Sequence, residues 1–194
     1  MSANPETHFV KPTAYCPNNV FPVLVYRGVL PEPHDEASTT ELLESHGWTK
    51  KGTWGTITVK HFHPNTHECY GVFQGESELI FGAGGADDEN AGVKCHVKAG
   101  DVVVVPAGVA HASVDEEDKT KDKTKDKTEK YRYIGVYPDG SPKWRSEFGK
   151  VPLEGRELVD EVSGVPIPNQ DPVAGPEGAL LRIWTAAREN GCEN

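Results

Sequence analysis

Between residues 53 and 137, apolar and polar positions alternate in short bursts. This is the two-residue period of strands that bury one face. GTITVKHFH (55–63), ECYGVF (68–73), SELIFG (77–82), GVKCHV (92–97), DVVVVP (101–106) and YRYIGVY (131–137) each predict a strand, with Gly-, Asp- or Asn-containing turns between them. VLVY at Val23–Tyr26 predicts another. Several short antiparallel strands with tight turns predict an all-β sandwich or barrel. Ser38-Thr39-Thr40-Glu41 reads as a capping box and precedes Leu42, Leu43 and a stop near His46-Gly47-Trp48. It predicts one short helix of two to three turns. A second short helix is expected around Leu180, Leu181, Ile183 and Trp184, with its apolar face docked on the strands.

The 194 residues suit one domain with a full core, and 20 Gly and 15 Pro agree with a chain that turns often. Residues 1–22 lack periodicity and read as an arm on the surface. DEEDKTKDKTKDKTEK (115–130) has no apolar side chain to bury and is expected to be a disordered, solvated loop. The expected division is an arm and short helix over 1–50, a barrel over 51–150 and a C-terminal extension over 151–194.

A formal net charge of −10 argues against nucleic acid and anionic membrane as partners. No segment approaches the roughly 18 consecutive apolar residues of a membrane span. The first residues carry neither a basic nor an apolar stretch of the secretory kind. Cys16, Cys69, Cys95 and Cys192 are scattered without a CxxC pair, so they read as reduced thiols and the expected location is cytoplasmic.

His61 and His63 share one strand face by parity, together with Ile57 and Val59. Thr56, Thr58 and Lys60 lie opposite. Two imidazoles on an apolar face need partners, either backbone groups or a metal ion. Glu68 follows a turn at Pro64-Asn65, which brings its carboxylate toward the pair. His111 follows the turn Pro106-Ala107-Gly108 and offers a third imidazole from a distant strand. Three imidazoles and one carboxylate suit Fe, Mn, Ni, Zn, Co or Cu better than Ca or Mg. Tyr70 and Gln74 share the parity of Glu68 and are candidate pocket residues. His67 and Cys69 have the opposite parity.

Gly55-x5-His61-x-His63-x4-Glu68-x6-Gly75 resembles the first cupin motif at every specified position. Gly100-x5-Pro106-x-Gly108-x2-His111 resembles the second, except that Asp115 stands where the motif has Asn. PNNVFPVLVYRG, HGW, YPDG and NQDPVAGPEGALLRIW extend the likeness to the RmlC-like, or YjlB-type, small single-domain cupins. The resemblance implies a cupin jelly-roll barrel (double-stranded β-helix) with one short N-terminal helix and a C-terminal extension. It also implies one divalent transition-metal ion held in the barrel mouth by His61, His63, Glu68 and His111.

Cupin barrels host unrelated activities, so whether the chain is an enzyme stays open. The resemblance admits a metal-dependent dioxygenase- or decarboxylase-like enzyme acting on a small organic molecule. It also admits a non-catalytic metal- or ligand-binding module. A sugar epimerase or isomerase of the metal-free kind fits the complete ligand set less well. Such barrels commonly pair through their sheets, and the arm over 1–22 is long enough to embrace a neighbour, so a homodimer is expected.

Overall fold

The computed structural model describes residues 4–88, 91–114 and 130–191. Cys192, Asp115 and, apart from Lys130, the charged stretch 115–130 lie outside the described residues. Nine strands are described: β1 (Glu6–His8), β2 (Val23–Tyr26), β3 (Trp48–Trp54), β4 (Glu68–Gln74), β5 (Glu76–Phe81), β6 (Val93–Lys98), β7 (Val102–Val105), β8 (His111–Ser113) and β9 (Arg132–Pro138). Three helices accompany them, α1 (Glu36–Ser45), α2 (Glu157–Ser163) and α3 (Ala179–Gly191).

The strands form two antiparallel sheets, ordered β1-β2-β7-β4-β9-β3 and β6-β5-β8. The fold is all-β, as expected: two antiparallel sheets packed face to face. Val23, Val25, Val103, Val105, Tyr70 and Tyr133 of the large sheet meet Leu79, Phe81 and Val97 of the small one in a shared core. The alternate residues Leu24, Tyr26, Val102, Val104, Ile134 and Val136 point the other way, into a second core beneath Leu43, Leu180 and Trp184. That second layer is why VLVY and VVVV can be apolar throughout: both faces of these central strands are covered. Gly71 permits the close approach of α1, because a Cβ there would lie 2.4 Å from Thr39 Cγ2.

α3 is anchored by fully buried Asp171. Its carboxylate accepts the Leu180 N–H at 2.9 Å, the Val173 N–H at 2.8 Å and the Ala174 N–H at 3.0 Å, and Tyr26 donates its hydroxyl to it. Trp184 donates its indole N–H to the Pro22 carbonyl at 3.0 Å and stacks on Phe21.

Several local expectations need correction. α1 starts three residues earlier than the capping box suggests. Asp35 is its N-cap, and its Oδ1 accepts the Ser38 N–H at 2.8 Å. Asp is as good a cap as Ser, and the earlier of the two competing signals prevails. The arm is not merely draped on the surface. β1 pairs with β2, and buried Asn18 donates its amide to the Lys11 and Gly82 carbonyls while accepting the Ala110 N–H. β1, β3, β8 and α2 carry weak patterns and are additions to the elements expected.

GTITVKHFH is not a continuous strand. It forms no ladder: isolated bridges join His61 to His111 and Phe62 to Glu147, and single backbone bonds reach the Ile57 and His63 carbonyls from Ser113 and Gly108. Without a ladder to maintain the pleat, parity fails at Val59, which is 54% exposed. It survives locally: Phe62 is buried beside Cys16 and Ala110, away from the two histidines.

Candidate metal centre

Four backbone connections bring the candidate ligands together. The His61 N–H donates to the His111 carbonyl at 3.1 Å, and the His111 N–H returns a bond to the His61 carbonyl at 2.8 Å. The Gly108 N–H donates to the His63 carbonyl at 2.8 Å, which ties the turn before His111 to the His61–His63 segment. Gly108 sits at φ +77°, and a Cβ there would lie 2.7 Å from both methyls of Val162, so this turn demands glycine. Glu68 opens β4 and pairs with Val105, the last residue before that same turn.

The coordinating atoms of His61, His63 and His111 all lie within 4.8 Å of one another, an arrangement able to hold a metal ion. Glu68 Oε2 lies 3.1 Å from His63 Nε2 and 3.3 Å from His111 Nε2. His63, Glu68 and His111 are buried, whereas His61 is only half-buried and forms the open side.

Hydrogen bonding decides which atoms remain available. His61 Nδ1 lies 2.8 Å from the Val59 carbonyl, His63 Nδ1 2.9 Å from the Arg145 carbonyl and His111 Nδ1 2.9 Å from the Val109 carbonyl. A carbonyl only accepts, so each Nδ1 carries its proton, and each neutral ring turns a bare Nε2 lone pair inward. Glu68 Oε1 accepts the Tyr137 hydroxyl at 2.7 Å, which leaves Oε2 facing the histidines. His111 Nε2 and Glu68 Oε2 are buried without a hydrogen-bond partner. Acceptors turned toward one another in a buried place repel unless a cation stands between them.

The charges agree. Burial, then the neighbouring His111, pulls the His61 pKa down to about 4, so that ring is neutral near pH 7. For Glu68, burial works against ionisation, but the contacts from His111 and His63 hold its carboxyl well below the usual range. Burial opposes protonation of His63 as well, and there the Glu68 carboxylate prevails and raises its pKa. A His63–Glu68 ion pair would satisfy one short contact. It leaves His111 Nε2 facing an anion with nothing to donate.

A narrow cavity of about 10 Å³, room for about one water, adjoins the cluster. It is lined by Ile57, His61, Tyr70, Leu79, Phe81, His111, Ala112, Ser113 and Tyr133. Tyr70 is thus placed beside the histidines, its ring 6.0 Å from that of His111. Gln74 is not. It lies six residues, or about 20 Å, along the strand from Glu68. A bulge between Val72 and Gln74 disturbs the register, and its amide donates to the Lys130 carbonyl. Parity places residues on a face and says nothing of distance along it.

Tyr137 was not singled out from the sequence, although YRYIGVY contains the signal. Tyr131, Tyr133 and Tyr137 share parity, and the strand bearing them pairs with β4. The Arg145 carbonyl and Trp144, which stacks on Tyr137 at 5.0 Å, lie in an irregular segment and carried no signal.

A family model described as cupin matches residues 53–121. "Uncharacterized protein YjlB" of Bacillus subtilis (strain 168) is 29% identical over 185 residues, covering 95% of this chain and 99% of that protein. Among solved structures, an oxalate decarboxylase variant from Bacillus subtilis is 18% identical over 66% of this chain, with a TM-score of 0.36. The match spans only 27% of the decarboxylase chain. A conserved protein with a double-stranded β-helix domain from Klebsiella pneumoniae is 15% identical, with a TM-score of 0.32 over 75% of this chain and 79% of that one.

Proposed function

We propose that this chain, which matches a cupin family model over residues 53–121, binds one divalent transition-metal ion through His61, His63, Glu68 and His111 and works on a small organic molecule beside it. One observation carries this reading. Three imidazoles each spend Nδ1 on a backbone carbonyl and cluster their ligand atoms within 4.8 Å, and two of them, His63 and His111, turn Nε2 to within 3.3 Å of the carboxylate oxygen that Tyr137 leaves free. Three neutral nitrogens and one carboxylate fit Fe, Mn, Co, Ni, Cu or Zn. When bound, such an ion supplies Lewis-acid or redox chemistry.

The chain's own residues set the remaining conditions. The backbone carbonyls of Val59, Val109 and Arg145 orient the rings, and Tyr137 orients the carboxylate. Leu79, Phe81, Ile57 and Ala112 keep the inner wall apolar around a cavity with room for about one water. A dioxygenase- or decarboxylase-like activity is the enzymatic form of this proposal. A non-catalytic binding module is the second reading. It is favoured by the lining, where the described residues include no Asp, Glu or Lys to act as a separate acid or base.

The test is elemental analysis of protein purified without a chelating resin, with His63→Ala and Glu68→Ala alongside. At least one ion per chain is expected in the parent, with about one ion fewer in each variant. Equal metal in all three would sink the assignment. Screening oxygen consumption and CO2 release with small acids and enols separates enzyme from binding module, since the module predicts no turnover with any reconstituted metal.

A further inference from the structure

Far along the fold from the imidazole cluster, the two sheets present their free edges to each other: β1 ends the large sheet and β6 ends the small one. Glu6 and His8 are two apart on β1 and share a face. Cys95 projects toward them from β6. The carboxylate, imidazole and thiol atoms of this trio all lie within 4.8 Å of one another. Arg27, just beyond β2, inserts a guanidinium here. Its Nη2 donates to Glu6 Oε2 at 2.8 Å and to Cys95 Sγ at 3.3 Å. For two of the three groups, then, a cation is already in place. The third is left out: His8 Nε2 is buried, has no hydrogen-bond partner and lies 3.8 Å from Glu6 Oε2.

We propose that Glu6, His8 and Cys95 form a second metal site, selective for a zinc-class ion, that clips the two sheet edges together. Thiolate, imidazole and carboxylate from three residues make a tetrahedral set with one position for water. Among the described residues the imidazole cluster includes no sulfur donor, so the two sites differ in softness and prefer different ions. Arg27 need not leave. Its Nη1 remains held by Asp101 Oδ2 at 2.8 Å and the His96 carbonyl at 2.7 Å, and its Nε by Glu6 Oε1 at 3.0 Å. Because the guanidinium is rigid, Nη2 stays beside the carboxylate and the sulfur as a donor to the ion's ligands. The Cys95 thiol proton passes to solvent as the sulfur binds. Cys95 is almost fully buried and the groove around it is otherwise lined by charged and polar side chains, so an ion reaches the site from the His8 and Glu6 side.

The experiment is a titration of the metal-free, full-length protein with Co(II), following near-ultraviolet thiolate-to-metal absorption and bound equivalents. Two equivalents are expected, one of them raising the thiolate band. Cys95→Ser and His8→Ala should each remove one equivalent and abolish the band. His63→Ala should remove the other equivalent and keep the band. Melting curves of the metal-free variants check that each has folded. No thiolate band in the parent, or a band that persists in Cys95→Ser, overturns the proposal. A single equivalent carrying the band, lost in Cys95→Ser and His8→Ala but kept in His63→Ala, would uphold this site and sink the one at the imidazole cluster.

Discussion

His67 and Glu68 are neighbours in the chain and lie on opposite sides of the large sheet, and the buried histidines on the two sides are used differently. On the outer side, His67 Nδ1 accepts the Ala107 N–H at 2.9 Å, and Nε2 donates to the Pro166 carbonyl at 3.1 Å. Its ring packs 4.7 Å from that of Trp184, and burial lowers its pKa to about 4. Both nitrogens are spent, so this ring is a neutral packing element. On the inner side, His63 and His111 spend only Nδ1 and turn Nε2 toward Glu68. Burial alone does not distinguish a ligand from a strut. An unspent lone pair facing a carboxylate does.

The comparison can be broken at three points, in decreasing order of effect. His67→Ala should cost about 2–4 kcal/mol of stability, since it removes a packed ring and strands the buried Ala107 N–H. Its metal content should match the parent. Urea unfolding and elemental analysis together check this, and loss of metal with stability intact would put His67 on the wrong side of the comparison.

Tyr137→Phe removes the bond to Glu68 Oε1 and frees the carboxylate to rotate. Metal affinity should fall by about 10- to 100-fold, the usual effect of losing such a supporting contact. Competition with a chelator of known affinity measures it, and an unchanged constant would mean that packing alone orients Glu68.

Gln74→Ala should do least. It loses one exposed bond to the Lys130 carbonyl, worth about 0.5 kcal/mol or less, and leaves metal content as in the parent. A drop in bound metal would return Gln74 to the pocket.

Much of the site was legible because its local parts depend on short spacings. His61–x–His63 converge through strand-like alternation that persists for just those three residues, although the longer strand around them does not form. Val59 and Val109 supply carbonyls two residues before His61 and His111, so two of the three ring orientations are nearly local properties. Helix α1 and most strands were likewise visible in their periodicity. Its true cap, Asp35, was displaced from the expected Ser38 because two good capping residues stand three apart.

Other features had no local signature. The Arg145 carbonyl that orients His63 comes from 82 residues away, in an irregular segment held by the Phe62–Glu147 bridge. Tyr137 meets Glu68 only because β9 pairs with β4 in one particular register. By itself, then, the sequence determined the alternation, the turns and the order in which three histidines and a glutamate arrive at one barrel mouth. The tertiary structure decided which nitrogen and which oxygen each of them keeps free. Periodicity specifies faces, whereas the partner that consumes a lone pair is chosen by long-range packing.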